Sequence, residues 1–227
     1  MIEVVGMIYR SPAFRDFLEI QMYQQGWGIG GVKYRTVAND PVPGLNLTDG
    51  TDIYHDPNSE DHYLSRVYRC WNYCVESSDA EYVCLVNSDM AFSPGWLEAL
   101  ERRLDGKTLP CSRLVEPGFL RPGQHAIEID LGRDPRSFPM DSWHRMAADL
   151  SEPRTESGGL FMPCVLHRDT FLAVGGYPEG NERSTSGQVV SGDAFLFAKM
   201  QSKGFQQVTC FDSLVYHMQE GEMRYHE

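Results

Sequence analysis

The 227-residue chain lacks most features that mark membrane proteins and nucleic-acid-binding proteins. It has no excess of basic residues, because 20 Lys and Arg oppose 32 Asp and Glu, and the formal charge is −12. A surface of that sign repels polyphosphate chains and anionic lipid headgroups, which disfavours a general nucleic-acid or membrane-surface binder. The apolar runs, such as residues 82–86 and 194–198, are far too short to cross a bilayer, so we predict no membrane span.

Cysteine pairs and a leader sequence are also missing. The six cysteines form no Cys-x-x-Cys pair, and Cys84, Cys164 and Cys210 stand within apolar, strand-like runs. Thiols in such runs are typical small core residues, so we predict that they are reduced and buried. The first nine residues contain no basic leader, long apolar stretch or small-residue cleavage site. These absences together predict a cytoplasmic location.

The chain does contain an alternation of strand-like and helix-like segments. Residues 3–9 and 32–38 are typical of strands, and a helix with apolar residues at helical spacing begins between them at Ser11 and Pro12. Residues 63–76 predict a second helix. Residues 81–86 form a continuous apolar run, which is typical of a strand covered on both faces. The alternation predicts an α/β fold with a mixed, mostly parallel central sheet flanked by helices.

The rest of the chain is less regular. Residues 117–154 show no periodicity and are too many for a simple connection. Short strands are predicted at 160–166, 207–210 and 214–217, helices at 95–104, 168–173 and 194–202, and a mobile loop at 180–191. The glycine-rich run at 26–31 lacks the Gly-Lys-Ser/Thr ending of a phosphate loop and precedes a strand, so it is not one.

Polar residues follow two of the predicted strands. Asn39 and Asp40 follow the second strand, and Asn87-Ser88-Asp89 follows the buried one. In an open parallel sheet, ligands bind at the carboxyl ends of the strands, where a carboxylate can hold a divalent cation that bridges phosphates. The alternative is that these Asn and Asp residues only form and cap turns.

Four segments, in their order along the chain, resemble glycosyltransferase family 2, whose fold is called GT-A. They are Asn87-Ser88-Asp89 with the following Pro-Gly-Trp-Leu helix start, Arg168 through Gly175-Gly176-Tyr177-Pro178-Glu179, Gly192-Asp193, and Val215-Tyr216-His217. The resemblance implies a single Rossmann-like GT-A domain over residues 1–227. It further implies a nucleotide-sugar and metal-binding half at 1–110 and an acceptor-binding half at 111–227.

By this resemblance, Asp89 binds Mn²⁺ or Mg²⁺, and His217 is a second protein ligand. An imidazole ligand would favour Mn²⁺, because Mg²⁺ prefers oxygen. The cation would neutralise the departing nucleoside diphosphate. Asn87 replaces the first Asp of the family motif, which should weaken the metal site. His217 could equally be a strand-end histidine near the surface.

Asp193 resembles the general base of the family, which deprotonates the acceptor hydroxyl during its attack on the sugar. Gly192 replaces the Glu that precedes this base in the family. The alternative for Asp193 is a purely structural role, since a carboxylate at the start of a helix stabilises it in any case.

The resemblance also implies a set of donor-binding residues, namely Tyr9, Arg10, Asn39, Asp40, Ser88, Gly158 and Gly159. The Asp40 carboxylate could accept an N–H from uracil or guanine. The two glycines would let the backbone approach the donor sugar, because glycine has no side chain. Tyr9 and Arg10 could equally be ordinary strand-end residues, and the glycines could form a plain loop.

Residues 117–154 occupy the acceptor side of the family. Trp143 and His144 could stack on a sugar or a base, and the arginines of this segment could hold an anionic acceptor: Arg121, Arg133, Arg136 and Arg145. Arginines in such loops are more often solvated or paired with neighbouring carboxylates.

The resemblance therefore implies a metal-dependent hexosyl- or pentosyltransferase that moves a sugar from a nucleotide donor to a hydroxyl. Inversion is the expected course, and retention is the alternative, because the fold hosts both. The expected donor is a UDP-sugar first and a GDP-sugar second, and the acceptor is a glycan, a small molecule, a protein or a modified nucleic-acid base. One alternative is a nucleotidyltransferase, although the turn after the first strand lacks the glycines that this class needs. Another is a binding protein of the same fold without catalysis, which Asn87 and Gly192 permit.

Overall fold

A computed structural model describes residues 1–24, 31–159, 162–183 and 189–224. The strands are β1 (Ile2–Ile8), β2 (Val32–Asn39), β3 (Asp52–Tyr54), β4 (Tyr82–Asn87), β5 (Met90–Phe92), β6 (Thr108–Glu116), β7 (Ile127–Glu128), β8 (Thr155–Ser157), β9 (Cys164–His167), β10 (Glu182–Arg183), β11 (Val189–Val190) and β12 (Gln206–His217). The helices are α1 (Pro12–Gln24), α2 (Tyr63–Glu76), α3 (Trp96–Glu101), α4 (Met140–Leu150), α5 (Arg168–Ala173), α6 (Gly192–Ser202) and α7 (Gly221–Arg224).

Ten strands form one sheet, and eight of them follow the order β3-β2-β1-β4-β9-β6-β12-β5. β1 lies between β2 and β4 and is parallel to both, and β6 is parallel to β12. β9 runs antiparallel between β4 and β6. The prediction of a mixed, mostly parallel sheet flanked by helices is confirmed.

Local signals located several elements well. The hydroxyl of Ser11 accepts from the backbone N–H of Phe14 at 3.4 Å and caps α1, which begins at Pro12 as expected. α2 covers the predicted residues 63–76. β4 is buried along its centre, in keeping with an apolar strand that is covered on both faces.

Several elements differ from the prediction, which had no counterpart for the short strands β3, β5, β7 and β8. Residues 117–154 contain the helix α4, which buries Trp143 and Ala147. β6 was not expected, because Pro110 and Arg113 interrupt its apolar pattern. The two short strands expected at 207–210 and 214–217 are one strand, β12, whose register with β6 shifts between Cys210 and Leu214.

The long strand β12 places its last residue, His217, at one edge of the sheet. Because β6 runs parallel to it, Glu116 at the end of β6 lies at the same edge. β1 and β4 also run parallel to each other and end in Ile8 and Asn87. This edge therefore collects the residues that follow four strands, as expected for the ligand-binding edge of an α/β sheet.

Some predictions fall outside the described residues. Of the glycine-rich run at 26–31, only Gly31 is described. Residues 160 and 161 of the strand predicted at 160–166 are also outside, and the observed strand, β9, begins at Cys164. The same holds for residues 184–188 of the predicted mobile loop. On either side of 184–188, β10 and β11 pair in an antiparallel way. All six cysteines are free and buried, in agreement with the prediction for the thiols.

Candidate active site

A cavity of about 260 Å³ opens at the carboxyl edge of the sheet. Tyr9 follows β1, Asn87-Ser88-Asp89 follows β4, and His217 ends β12; all of them line the cavity. The opposite wall is a face of α2, formed by Tyr63, Leu64, Val67 and Trp71. The cavity thus combines an apolar wall with a few convergent polar groups, which is the usual composition of a small-molecule site.

Asp89, His217 and Glu116 form a chain of polar contacts at this edge. His217 Nε2 lies 3.6 Å from Asp89 Oδ2, and His217 Nδ1 lies 2.9 Å from Glu116 Oε1. The Asp89 carboxylate also accepts from the backbone N–H of Gly221 at 3.3 Å. The imidazole is therefore held between two buried carboxylates.

This arrangement stabilises the charged forms of His217 and Asp89. Burial opposes the charged imidazole, but Asp89 and Glu116 raise the pKa of His217 to about 10. Burial likewise opposes the charged form of Asp89, but His217 holds the pKa of that carboxyl below its usual range. Without a bound cation, the imidazolium itself balances Asp89.

The donor set fits a divalent cation only in part. A carboxylate oxygen and an imidazole nitrogen 3.6 Å apart can both reach one ion, since each metal–ligand bond is about 2 Å long. No three His, Cys, Asp or Glu side chains are grouped as a metal site anywhere in the described ranges. Oxygens of a bound diphosphate and water would have to complete the coordination, as is usual for cations that act on nucleotides.

Ser88 and Arg10 both contact Glu222, a residue for which the sequence offered no signal. Ser88 Oγ donates to Glu222 Oε1, and the backbone N–H of Arg10 donates to Glu222 Oε2 at 3.0 Å. Burial raises the pKa of Glu222 to about 7, although both hydrogen bonds favour the charged form. A carboxylate from the far end of the chain thus lies between the ends of β1 and β4.

The predicted donor-binding residues Asn39 and Asp40 have different surroundings. Asp40 Oδ2 accepts from Arg66 Nη2 at 2.6 Å. The Arg66 guanidinium lies 5.6 Å from the centre of the Tyr9 ring, and that of Arg10 lies 4.8 Å from it. Asn39 is completely buried and donates to the carbonyl of Arg66 at 3.4 Å. Neither Asp40 nor Asn39 lines the cavity, although Arg66, the partner of Asp40, lies near the Tyr9 ring, and donor binding by these two residues stays a prediction.

Asp193 lies in the first turn of α6, next to the apolar wall. Ser191 caps this helix by accepting from the N–H of Ala194, so the Asp193 carboxylate is not used as the cap. Tyr68 donates to Asp193 Oδ2 at 3.4 Å, and its ring packs against Trp71, which lines the cavity. Asp193 Oδ1 is buried and has no hydrogen-bond partner among the described residues. Burial raises the pKa of Asp193 to about 6, against the hydrogen bond from Tyr68, which lowers it.

The Tyr68 ring also explains why residue 192 is a glycine. A Cβ atom at this position would lie 2.5 Å from the Tyr68 ring, so no side chain fits there. Tyr68 fills the space that the Glu of the family motif would need, and it supplies a hydrogen bond to the neighbouring carboxylate instead.

Gly158 and Gly159 do not reach the cavity. The Gly158 carbonyl accepts from Thr209 Oγ1 at 2.7 Å, and a Cβ on Gly159 would lie 1.7 Å from the same oxygen. Thr209 precedes His217 by eight residues on one strand, which is roughly 26 Å at 3.3 Å per residue. These glycines allow a close approach to β12, and their role in donor binding stays a prediction that this cavity does not support.

Trp143 and His144 also lie away from the cavity. Trp143 is completely buried and packs against Tyr216 with ring centres 5.9 Å apart, which is a core position, and its role in acceptor binding stays a prediction. His144 lines a second cavity together with Pro94, Gly95 and Glu98. The two cavities have no lining residue in common. Among the arginines of this segment, Arg133 donates to the carbonyls of Met218 and Gln219.

Three groups at the site were not predicted from the sequence: Glu222 and the face of α2, which line the cavity, and Glu116, which contacts His217. The helical spacing of Leu64, Val67 and Trp71 was a usable signal, but it is also the spacing of a core face. Glu116 ends a strand that was not predicted, and Glu222 follows no periodic segment.

The chain matches no protein-family profile and no curated protein sequence. Solved structures do resemble it. The mannosyltransferase PcManGT from Pyrobaculum calidifontis, in complex with GDP-Man and Mn²⁺, superposes with a TM-score of 0.59 at 12% identity over 96% of this chain. GalNAc-T7 with UDP, GalNAc and Mn²⁺ gives 0.57 at 10% over 96%, and S. aureus TarS 1-349 gives 0.57 at 9% over 95%.

These likenesses show the fold. The chain has a GT-A-like glycosyltransferase fold, as its motifs predicted. It spans 56%, 43% and 60% of the lengths of the three structures, respectively. None of the described helices has the length and apolar character needed to cross a membrane.

Proposed function

We propose that this protein is a metal-dependent glycosyltransferase that transfers a sugar from a nucleotide donor to an acceptor hydroxyl. The observation that carries this proposal is the meeting of Asp89 and His217, 3.6 Å apart, in the cavity at the carboxyl edge of a GT-A-like sheet. Two of the similar structures contain a nucleotide or nucleotide sugar together with Mn²⁺. We propose a UDP-sugar as the first donor to test and a GDP-sugar as the second.

The residues of the cavity suggest how the donor is held. The apolar wall on α2 and the Tyr9 ring offer surfaces for a nucleobase, and Ser88 and the backbone N–H of Arg10 offer hydrogen-bond donors for its ribose or phosphates. Asp89 and His217 would bind Mn²⁺ or Mg²⁺. When bound, the cation would stabilise the negative charge that develops on the departing diphosphate.

Asp193 is the proposed general base. Its Oδ1 atom is buried and has no hydrogen-bond partner among the described residues, and Tyr68 donates to Oδ2. A carboxylate can take the acceptor proton late in the reaction, when the hydroxyl has become acidic. Removal of the proton by a base on the acceptor side corresponds to direct displacement with inversion. The acceptor itself is a glycan, a small molecule, a protein or a modified nucleic-acid base.

Donor turnover tests this proposal. Release of UDP or GDP from a panel of nucleotide sugars is measured with and without Mn²⁺, for the wild type and Asp89→Asn. We expect turnover that requires the metal and falls at least about 100-fold in the variant, because a bound metal supplies several kcal/mol of charge stabilisation. Asp149→Asn, which changes an exposed carboxylate on α4, is the matched control and should retain full turnover.

The outcomes separate the alternatives. Equal turnover by Asp89→Asn and the wild type would disprove the metal assignment. Calorimetric binding of UDP or GDP without turnover of any donor would identify a non-catalytic binding protein. Absence of both binding and turnover would overturn the proposal.

A further inference from the structure

The chain crosses its own candidate site directly after β12. We call residues 218–222 the strap. Gln219 and Glu220 have φ angles of 49° and 55°, a left-handed conformation that is unfavourable for residues with a side chain. This turn redirects the backbone from the end of β12 across the carboxyl edge of the sheet.

One end of the strap is firmly attached. Gln219 forms two hydrogen bonds with the backbone of Leu120, accepting at 2.9 Å and donating at 3.2 Å. Arg133 donates to the carbonyls of Met218 and Gln219. Leu120 itself lines the cavity, whereas Arg133 holds the Met218 and Gln219 backbone and does not line it.

The other end of the strap lies against the candidate metal ligand. Gly221 approaches so closely that a Cβ atom there would be 2.9 Å from the Cβ of Asp89 and 2.6 Å from Phe14. Its backbone N–H donates to Asp89 Oδ2. Only glycine permits this approach, so the strap is shaped to lie on Asp89.

Glu222 then occupies the hydrogen-bond donors at the strand ends. Its carboxylate accepts from the Arg10 N–H after β1 and from the Ser88 hydroxyl after β4. Both groups face the edge at which open α/β sheets bind nucleotides. A nucleotide that lies across these strand ends would use the same two donors for its own oxygen atoms.

The cavity is small while the strap is in place. Its volume of about 260 Å³ is below the range of roughly 300–1,000 Å³ that is usual for ligand pockets, and Glu220 and Glu222 form part of its wall. Glu220, and Glu222 when it is ionised, would repel a diphosphate, because like charges in a partly buried site are poorly screened, whereas Asp89 is balanced by His217. The strap thus opposes a nucleotide sugar in this conformation by the space and the hydrogen-bond donors that it occupies.

We propose that the strap is an internal competitor of the donor: Glu222 occupies the hydrogen-bond donors of the nucleotide site, and the nucleotide must displace it to bind. This proposal rests on the proposed function, since it requires that a nucleotide binds in this cavity. The attached end at Gln219 would remain in place, and the end at Gly221 and Glu222 would swing away.

Binding of UDP and GDP, measured by calorimetry with and without Mn²⁺, tests the competition. Glu222→Ala releases both donors and should bind the nucleotide about tenfold more tightly than the wild type, the equivalent of about one hydrogen bond. Glu222→Gln keeps the shape and one acceptor and should give a smaller gain. Glu220→Gln is the matched control, because it removes one charge from the same wall without releasing Arg10 or Ser88.

Equal or weaker binding by Glu222→Ala, while the wild type binds, would overturn the competition and leave the proposed function intact. An equal gain in Glu220→Gln would also overturn it, because simple repulsion would then explain the effect. If neither the wild type nor any variant binds UDP or GDP, the proposed function fails and the competition fails with it.

Hydrogen–deuterium exchange of the wild type gives a second readout that needs no variant. The Gly221 amide is protected by Asp89 in the closed strap, so saturating UDP or GDP should accelerate its exchange. Slower exchange with bound nucleotide would mean that the strap closes over the ligand, which would overturn the proposal.

Discussion

Glu116 is the residue whose position most constrains His217. It holds Nδ1 of the ring, so that Nε2 faces Asp89. Histidines that bind metals usually have such a partner, which fixes the ring orientation and makes it a better ligand. Glu116 would therefore be a positioning residue for the cation rather than a ligand.

We expect Glu116→Ala to weaken Mn²⁺ binding by about 10- to 100-fold, the usual effect of losing such a partner. Mn²⁺ affinity can be measured by electron paramagnetic resonance without any substrate. Glu116→Gln, which can still accept from the ring N–H, should recover much of the affinity. Equal Mn²⁺ binding by the wild type and both variants would contradict the positioning role.

Asp193 should make turnover dependent on pH. As the proposed base it must be ionised, and burial raises its pKa to about 6. We therefore expect turnover to be half-maximal near pH 6 and to level off about one pH unit higher. Tyr68→Phe removes a hydrogen bond that favours the ionised carboxylate, so it should shift this profile to higher pH. A profile that is the same in both proteins would exclude Asp193 as the titrating group.

The same pKa predicts an effect of Asp193 on stability. The ordinary value is 3.8, so between about pH 4 and pH 6 the folded protein keeps a proton that the unfolded chain releases. Stability contributed by this group is thus present at low pH and lost as pH rises through that range. Asp193→Asn should raise the melting temperature at about pH 8 and leave it unchanged at about pH 4. A variant that melts at the wild-type temperature at both pH values would contradict the burial of this charge.

At the scale of elements, substitutions in the helix α4 (residues 140–150) can show whether its residues serve core packing or ligand binding. Trp143 is buried against Tyr216 in a hydrophobic cluster that also contains residues of α1 and β12, whereas the neighbouring His144 is only half-buried. Trp143→Ala should reduce the free energy of unfolding by about 3–5 kcal/mol, as expected for a large core side chain. His144→Ala should change it by less than about 0.5 kcal/mol. Urea denaturation measures both, and a small loss for Trp143→Ala would contradict its core position.

The elements also show what could be predicted from the sequence. α1 and α2 were located by an N-cap and by helical spacing, which are local signals. The burial of Trp143 depends on β12, which lies some 70 positions later in the chain, and no local pattern reports such a contact. β6 was missed because its Pro and Arg residues hide an otherwise buried strand.

The residues of the candidate site likewise fall into those that the sequence could predict and those that it could not. Asp89 and His217 could be expected at one edge, because each follows a strand of a parallel sheet and each belongs to a motif of the resemblance. Glu222 could not, since its position depends on the left-handed turn at Gln219 and Glu220, which neither residue type favours. The roles of Asp89, His217 and Asp193 stay predictions until the experiments above are done.

At the scale of the whole molecule, the charge of −12 should govern how fast a nucleotide arrives. An acidic protein repels a diphosphate, and an ionic strength raised from about 0.01 M to about 0.1 M shortens the Debye length from about 30 Å to about 10 Å. We therefore expect the association rate of UDP, measured without divalent cations, to increase with salt. Uridine, which has no charge, should show no such dependence. An association rate of UDP that decreases with salt would indicate a local basic patch that attracts the nucleotide.

The cavity is lined by residues from both of the proposed halves of the chain, the donor half at 1–110 and the acceptor half at 111–227. Tyr9, Ser88 and Asp89 come from residues 1–110, whereas His217 and Glu222 come from residues 111–227. Neither range alone would contain the cavity. The division at residue 110 thus remains a prediction about the acceptor side, and the cavity itself depends on the complete sheet.

The six buried thiols allow the unfolding of the intact protein to be followed by chemical labelling. Because none of them is accessible in the fold, a thiol-reactive dye should label the native protein only as fast as the chain opens. Labelling kinetics can therefore measure the opening rate of the sheet without an engineered probe. For the same reason, a single cysteine introduced on the surface would be labelled selectively, which would allow a fluorophore to be attached to the strap to follow its movement.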